Sequence, residues 1–322
     1  MTKTNDTACG KEVAVLIPCY NESITIAKVI DDFKRVLPEA TIYVYDNNSS
    51  DDTAAIARAK GVIVRTETRQ GKGNVVRQMI RDVDADYYLM VDGDDTYPAE
   101  AAPALLAPLQ ENLADMTVGD RLSNGTYTEE NDRAFHNFGN NLVRFLIKLI
   151  YGFKFSDVMT GYRAFNTVFA KTMPVLSPGF EIETELSIHA VDKRWRITEV
   201  PIDYRDRPEG SESKLDTVSD GIRVLLTIAS LFKDYRPLVL FSWVGLISCA
   251  VGLLVGIPVI VEFAQTGLVM KFPSALLAVA FVFVGLLSFV CGLILDTTVK
   301  GNRKDYEIEV ISAYERYRHN AR

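Results

Sequence analysis

Four short runs rich in β-branched and aromatic residues constrain the fold of this chain more than any other feature: Val13 to Pro18, Thr41 to Asp46, Val62 to Thr66 and Tyr87 to Asp92. Stretches of helical period separate them. Ile24, Ile26, Val29, Ile30, Phe33 and Val36 lie between the first two, and Ala54, Ala55, Ile56 and Ala59 between the second and third. Short strands alternating with helices build a mostly parallel sheet with crossover helices, so an α/β fold is expected. Open sheets of this kind bind ligands at the carboxyl ends of their strands. The groups that fall there are Tyr20-Asn21-Glu22, then Asp46-Asn47-Asn48-Ser49-Ser50-Asp51, then Asp92-Gly93-Asp94-Asp95.

The last of these groups packs three carboxylates into four residues. Acids that close repel one another, and a hard divalent cation relieves the repulsion. Mg²⁺ takes one or two carboxylates and completes its shell with substrate phosphate oxygens and water. A metal-held phosphate substrate is therefore expected, the alternative being an acidic turn that caps a helix starting near Pro98.

Two further runs set the rest of the architecture. Pro237 to Val261 and Phe272 to Leu295 carry no charged residue, and each exceeds the roughly 20 residues that cross about 30 Å of hydrocarbon. Two transmembrane helices are expected there, rather than core helices of a soluble domain. Residues 1–11 are polar, and the apolar run that follows, Val13 to Ile17, is too brief for a secretory leader. Lys233 and Arg236 precede the first span, and Lys300, Arg303 and Lys304 follow the second, which places both termini in the cytosol. The expected layout is a cytosolic domain over 1–215, an amphipathic juxtamembrane helix over 216–236, the two spans within 237–298 and a cytosolic tail over 299–322. Leu142, Phe145, Leu146, Leu149, Ile150 and Phe153, opposed by Arg144, Lys148 and Lys154, form a stripe suited to a membrane surface. Ile222, Leu225, Leu226, Ala229 and Phe232 form another that leads into the first span.

The remaining composition serves mainly to exclude. Cys9, Cys19, Cys249 and Cys291 have no paired spacing for a zinc site or a disulfide framework. A net charge of −7 without a basic stripe argues against nucleic acid as a partner.

Taken together, Pro18-Cys19-Tyr20-Asn21-Glu22, Asp46 to Asp51, Gly71-Lys72-Gly73 and Asp92-Gly93-Asp94 resemble glycosyltransferase family 2, and within it the membrane-anchored polyprenyl-phosphate glycosyltransferases related to dolichol-phosphate mannose synthase. Asp157-Val158-Met159-Thr160-Gly161-Tyr162-Arg163 is similar to the family's acidic-to-arginine segment, and Arg205-Asp206-Arg207 with Ser213-Lys214 to its basic loop before the membrane. The resemblance implies a GT-A type, Rossmann-like nucleotide-binding domain. It also implies a donor site made of Pro18, Tyr20, Glu22, Asp46, Asn47, Lys72, Asp92, Gly93 and Glu183. Asp46 suits a uracil N–H, whereas Asn47 stands where the family usually has a second aspartate. Asp92 and Asp94 would hold Mg²⁺ or Mn²⁺, and Thr96 stands where a glutamine often adds a contact.

A lipid phosphate monoester is largely dianionic at neutral pH, by analogy with phosphorylated side chains. The acceptor therefore needs cations and alignment more than a strong base. The resemblance assigns its phosphate to Arg121, Arg133, Asn137, Arg205, Arg207 and Lys214, and catalysis to Asp94, Asp157 and Arg133. Asp157 would orient the sugar or the acceptor, assist as a base, or pair with Arg163 to hold the loop. His189 reads as a packed residue. Arg194-Trp195 is similar to a pair in processive synthases, but Val191 replaces their upstream glutamine.

The activity this implies is inverting transfer of one sugar from a nucleotide diphosphate sugar, UDP-glucose or a UDP-N-acetylhexosamine, to a polyprenyl phosphate such as undecaprenyl phosphate. It would take place at the inner face of the cytoplasmic membrane for envelope glycosylation, and the resemblance permits a homo-oligomer. The competing readings are a processive polysaccharide synthase and a catalytically silent membrane binder of sugar nucleotides.

Overall fold

The computed structural model describes residues 12–123, 144–145, 147–149, 152–208, 233 and 235–320. The chain divides into two compact units, Met1–Val224 with Glu309–Arg322, and Leu225–Ile308. Arg133, Asn137 and Lys214, most of the helix expected over 216–236, and Leu142, Leu146 and Ile150 lie outside the described residues.

In the first unit the chain runs β1 (Val13–Cys19), α1 (Ile26–Val36), β2 (Thr41–Asp46), α2 (Thr53–Ala59), β3 (Ile63–Thr66), α3 (Lys72–Asp82), β4 (Tyr87–Met90), a 3₁₀ turn (Ala99–Ala101) and α4 (Ala102–Gln110). It continues through β5 (Met116–Asp120), β6 (Arg163–Asn166), α5 (Thr167–Thr172), α6 (Ile182–Asp192) and β7 (Ile197–Pro201). Among the described residues these strands form one sheet in the order β3-β2-β1-β4-β6-β5-β7. β1 pairs in parallel with β2 and with β4, aligning Cys19 with Asp46 and Leu16 with Met90. β6 runs antiparallel to both β4 and β5.

The β1 and β4 strands are apolar because helices cover both faces of the sheet. Tyr87, Tyr88, Leu89 and Met90 are all buried, and Ile26, Val29, Ile30 and Phe33 of α1 close one face. Burying side chains of this size stabilises the fold by about 1.5–3 kcal/mol each. Ile24, expected on that apolar stripe, is exposed, because α1 begins only at Ile26. β4 ends at Met90, short of the expected Asp92, and the left-handed Asp95 (φ 60°) turns the chain onward.

The second unit contains α7 (Pro237–Thr266) and α8 (Phe272–Asn320) up to Ile308. Both helices are long and apolar enough to cross a membrane. Their large side chains, among them Trp243, Leu254, Leu276 and Phe283, are exposed, unlike those of a buried core helix. The two helices form a candidate transmembrane hairpin. Small residues let its backbones meet: a Cβ on Gly245 would stand 2.8 Å from Gly285 O, and one on Gly252 3.0 Å from Ala278 O. Gly267 closes α7 in the left-handed conformation, its N–H donating to Phe263 O (2.8 Å). α8 continues without interruption to Asn320, so the segment expected as a separate tail after residue 298 is helix, and from Glu309 onward it groups with the first unit.

Of the first amphipathic stripe, Phe145 and Leu149 are exposed, while Ile147, which the stripe did not include, is buried. Arg144, placed on the opposite face by the sequence, donates from Nε to Phe155 O (2.9 Å).

Candidate active site

Loops at the carboxyl ends of β1, β2 and β4 interlock. Thr25 Oγ1 donates to Gly93 O (2.6 Å), Glu22 N–H to Thr53 Oγ1 (2.8 Å) and Asn21 N–H to Ser49 Oγ (2.9 Å). A Cβ on Gly93 would stand 2.8 Å from Cys19 Sγ, so only glycine lets the turn after β4 lie against the end of β1. Asn21, Asn48 and Asp95 all adopt positive φ, a concentration of strained backbone at one rim of the sheet.

Asp46 ends β2 and is buried. Its Oδ2 accepts from Ser49 N–H (3.3 Å), and its buried Oδ1 has no hydrogen-bond partner. Pro18 lies beside Tyr45 at the end of β1, followed by the exposed Tyr20. Asn47, expected at the nucleotide, is engaged within the protein instead. Its amide donates to Glu67 O (2.8 Å) and Arg69 O (2.9 Å), and its oxygen accepts from Gly71 N–H (2.7 Å). An aspartate has no N–H for those two carbonyls, which gives a physical reason for asparagine at this position.

The acidic turn after β4 is neutralised by cations from three other parts of the chain. Asp92 Oδ1 pairs with Lys72, whose Nζ also reaches Glu183 Oε1 (2.7 Å). Burial pulls the Lys72 ammonium down, but the two carboxylates outweigh it and raise its pKa above the usual lysine value. Burial pushes Glu183 up, against the pull of Lys72. Asp94 Oδ2 pairs with Arg207 (2.6 Å), and its Oδ1 accepts from Thr96 Oγ1 (2.6 Å). Asp95 turns to Lys28 (2.6 Å) and, more distantly, Arg205 (3.9 Å), which also pairs with Glu100 (3.2 Å). The helix-capping alternative fails, because the 3₁₀ turn that follows is preceded by Pro98 and receives no side-chain cap.

Two glycines flank Lys72 for a steric reason. Cβ atoms on Gly71 and Gly73 would stand 3.1 Å from Pro178 C and 2.8 Å from Ser177 C, and closer still to the carbonyl oxygens. Gly73 N–H donates to Gly179 O (3.1 Å) and Asn74 N–H to Pro178 O (3.2 Å), so the start of α3 is covered by the 177–179 strap. Glu185 holds that strap by accepting from Ser177 N–H (2.9 Å) and Leu176 N–H (3.1 Å).

On the far side of β4, Asp157 pairs with Arg121 through two hydrogen bonds (2.6 and 3.1 Å), and not with Arg163. Arg121, expected at the acceptor phosphate, is nearly buried and lies over the Tyr204 ring, 5.4 Å from its centroid. Gly161 N–H donates to the buried Tyr97 hydroxyl (2.9 Å). A Cβ on Gly161 would stand 2.9 Å from both Asp92 Cγ and Lys72 Nζ, and closer to Asp92 Oδ2. His189 is buried edge-on to Phe169, and burial holds its pKa down to about 3.

A profile of glycosyl transferase family 2 matches residues 14–172, the stretch that carries these strand ends. Glycosyltransferase AglJ of Haloferax volcanii is 38% identical over 245 residues, covering 75% of this chain and 78% of that protein. The chain belongs to glycosyl transferase family 2. A dolichyl-phosphate hexose transferase of the same organism is 29% identical over 225 residues, covering 70% of this chain and 96% of the relative. A crystal structure of glucosyl-3-phosphoglycerate synthase from Mycobacterium tuberculosis, in complex with Mn²⁺, uridine diphosphate and glucosyl-3-phosphoglycerate, aligns with a TM-score of 0.56 at 23% identity, covering 69% of this chain and 80% of that one. At that identity the likeness concerns the fold, which is the GT-A-like α/β fold with a mostly parallel sheet.

Within this family 2 site the structure brings together Pro18, Tyr20, Glu22, Asp46, Lys72, Asp92, Gly93, Asp94 and Glu183 along one rim, with Arg207 on Asp94. Gly161 and Tyr97 were missed by sequence reasoning. The glycine inside the Asp157-to-Arg163 segment was the available signal for the first, and a buried hydroxyl on an aromatic leaves none for the second. Two carboxylates from one turn, anionic and all-oxygen, suit a hard divalent ion. Among the described residues no group of three or more His, Cys, Asp or Glu side chains converges, so such an ion would depend on substrate oxygens to complete its shell.

Proposed function

We propose that the protein transfers a single sugar from a uridine diphosphate sugar to a polyprenyl phosphate, with inversion, at the cytosolic face of a membrane. The observation that carries this reading is the buried, unpartnered Asp46 Oδ1 at the same sheet rim as Asp92 and Asp94, in a chain with an apolar helical hairpin. Asp46 Oδ1 would accept the uracil N–H, with Pro18, Tyr20 and Glu22 around the base. Mg²⁺ or Mn²⁺ held by Asp92 and Asp94 would offset the charge that grows on the departing diphosphate. Lys72 would hold Asp92 and Glu183 in place beside the sugar.

On the acceptor side, Arg133, Asn137, Arg205, Arg207 and Lys214 are assigned to the lipid phosphate, and Asp157, fixed by Arg121, to its orientation. Aligning the phosphate oxygen with the anomeric carbon is the main task, since the dianion is already a nucleophile at neutral pH. The Haloferax dolichyl-phosphate hexose transferase and the complex of the mycobacterial synthase with uridine diphosphate and Mn²⁺ support the acceptor class and the donor class respectively. UDP-glucose and UDP-N-acetylhexosamines are the first donors to test, and an envelope glycan is the expected destination.

The test is a screen of labelled nucleotide sugars with Mg²⁺ or Mn²⁺ and short polyprenyl phosphates on the full chain in detergent, read by mass spectrometry of extracted lipid. One sugar on the lipid phosphate is the expected product. Nucleotide binding without any lipid-linked product would refute the reading in favour of a silent binder, and a lengthening product would refute it in favour of a polymerase.

A further inference from the structure

Among the described residues Arg163 is the largest side chain with no exposed surface, and it carries a charge. Its Nε donates to Thr160 O (3.0 Å), and its Nη2 lies within hydrogen-bond reach of Val158 O (2.7 Å), Ser187 Oγ (2.9 Å) and Glu183 O (3.0 Å). Nη1 faces Met116 Sδ at 3.9 Å. A guanidinium without a carboxylate in this set is held by neutral dipoles, and burial lowers its pKa. Burying a charge is costly unless its hydrogen bonds are well made, and here those bonds join two separate segments of the chain.

Two of its acceptors, Val158 O and Thr160 O, belong to the turn that carries Asp157. The other two, Glu183 O and Ser187 Oγ, belong to the first turns of α6. Ser187 Oγ itself donates to Glu183 O (3.0 Å), which ties the two helix acceptors together. The same turn is gripped from its outer side, where Ser156 N–H (2.7 Å) and Asp157 N–H (3.3 Å) donate to Glu199 Oε1. Arg163 is thus the inner anchor of a loop whose outer anchor is a carboxylate on β7.

We propose that Arg163 is a positioning residue which fixes the 157–160 turn to α6 and thereby sets where Asp157 and its partner Arg121 stand relative to the incoming acceptor. The inference rests on the acceptor-side reading of Asp157 given above. A lysine retains the charge but presents one nitrogen, without the planar fork that reaches acceptors on both elements.

The test is a double-mutant cycle on this chain in detergent, with the donor and short polyprenyl phosphate that the screen identifies. Arg163→Lys is expected to lower kcat and raise the acceptor KM, for a loss in kcat/KM of about 100-fold, the scale of a reacting group displaced by about 1 Å. Uridine diphosphate affinity, measured by calorimetry with Mn²⁺, is expected to stay within about threefold, because Asp46 ends β2 and Asp92 pairs with Lys72 of α3, neither of which the Arg163 side chain bonds. In an Asp157→Asn background the same substitution should cost less than about threefold more, since the group it positions is already gone.

An equal loss in both backgrounds, or a fall in nucleotide affinity parallel to the fall in turnover, would overturn the inference while leaving the role of Asp157 standing. Wild-type turnover in Asp157→Asn alone would remove the acceptor-side reading and the inference with it. Should Arg163→Lys not fold, Ser187→Ala, which deletes one anchor and little volume, enters the same cycle with the same criteria.

Discussion

Gly161→Ala tests the site with a single methyl group. The backbone at 161 does not require the left-handed region that favours glycine, so the substitution acts through space. The new carbon would stand 2.9 Å from Asp92 Cγ and from Lys72 Nζ, and nearer still to Asp92 Oδ2. Comfortable separation for such atoms is about 3.5–4.0 Å, so Asp92 or the 157–161 turn must move by roughly 0.6–1 Å. A displacement of about 1 Å at a reacting centre costs on the order of 100-fold in rate, or about 2.7 kcal/mol. Stability should change little in comparison, because Asp92 keeps access to solvent on its other side, its side chain being 25% exposed. The assay is initial-rate transfer to a short polyprenyl phosphate alongside the thermal midpoint of the same preparation. Turnover within threefold of wild type would refute the claim that Asp92 and its cation must stand where they do.

Asp94→Asn should remove most turnover without unfolding the protein, because it halves the anionic donor set offered to a divalent ion; near-normal rates across a Mn²⁺ titration would contradict that assignment. Gly73→Ala should act on stability instead, lowering the thermal midpoint by the amount expected for about 1–3 kcal/mol of overpacking, since its Cβ would press on the Ser177–Pro178 backbone; an unchanged midpoint would show that the strap yields freely. His189 has a folded pKa near 3, below the unfolded value of about 6.5. Between those limits the unfolded chain binds the extra proton, so stability falls as pH drops below about 6.5, by at most about 1.4 kcal/mol per pH unit. His189→Gln should flatten that part of the midpoint-versus-pH curve in detergent, and an unaltered slope would refute the burial argument.

The strand ends were legible because an apolar run that stops at a cluster of acids or amides is a local signal. Asp46, Asp92 and Asp94 stand at the rim for that reason. Partnerships between distant segments were not legible. Nothing in the spacing distinguishes Arg121 from Arg163 as the partner of Asp157, because both lie on strands β5 and β6 or at their ends and the choice depends on register and side-chain direction. Asn47 presented itself as a departure from a binding motif, whereas its amide is committed to the 67–71 loop by contacts from another strand. The long α8 was divided at its last apolar residue, since hydropathy marks where lipid-compatible sequence stops and carries no information about where a helix ends. Arg133, Asn137 and Lys214 are assigned by the family resemblance and by the fit of cationic and amide side chains to a phosphate.

One strand entering the sheet backwards has a consequence for what this architecture can vary. Met90 and Arg163 are neighbours in the antiparallel pair, so the segment that arrives at β6 meets the segment that leaves β4 at a shared boundary. Half of that boundary is dictated by the early part of the chain, and half by a stretch drawn from far downstream. Under the proposed function, sequence change in the downstream half would alter the acceptor side of that boundary without touching the strand ends assigned to the nucleotide.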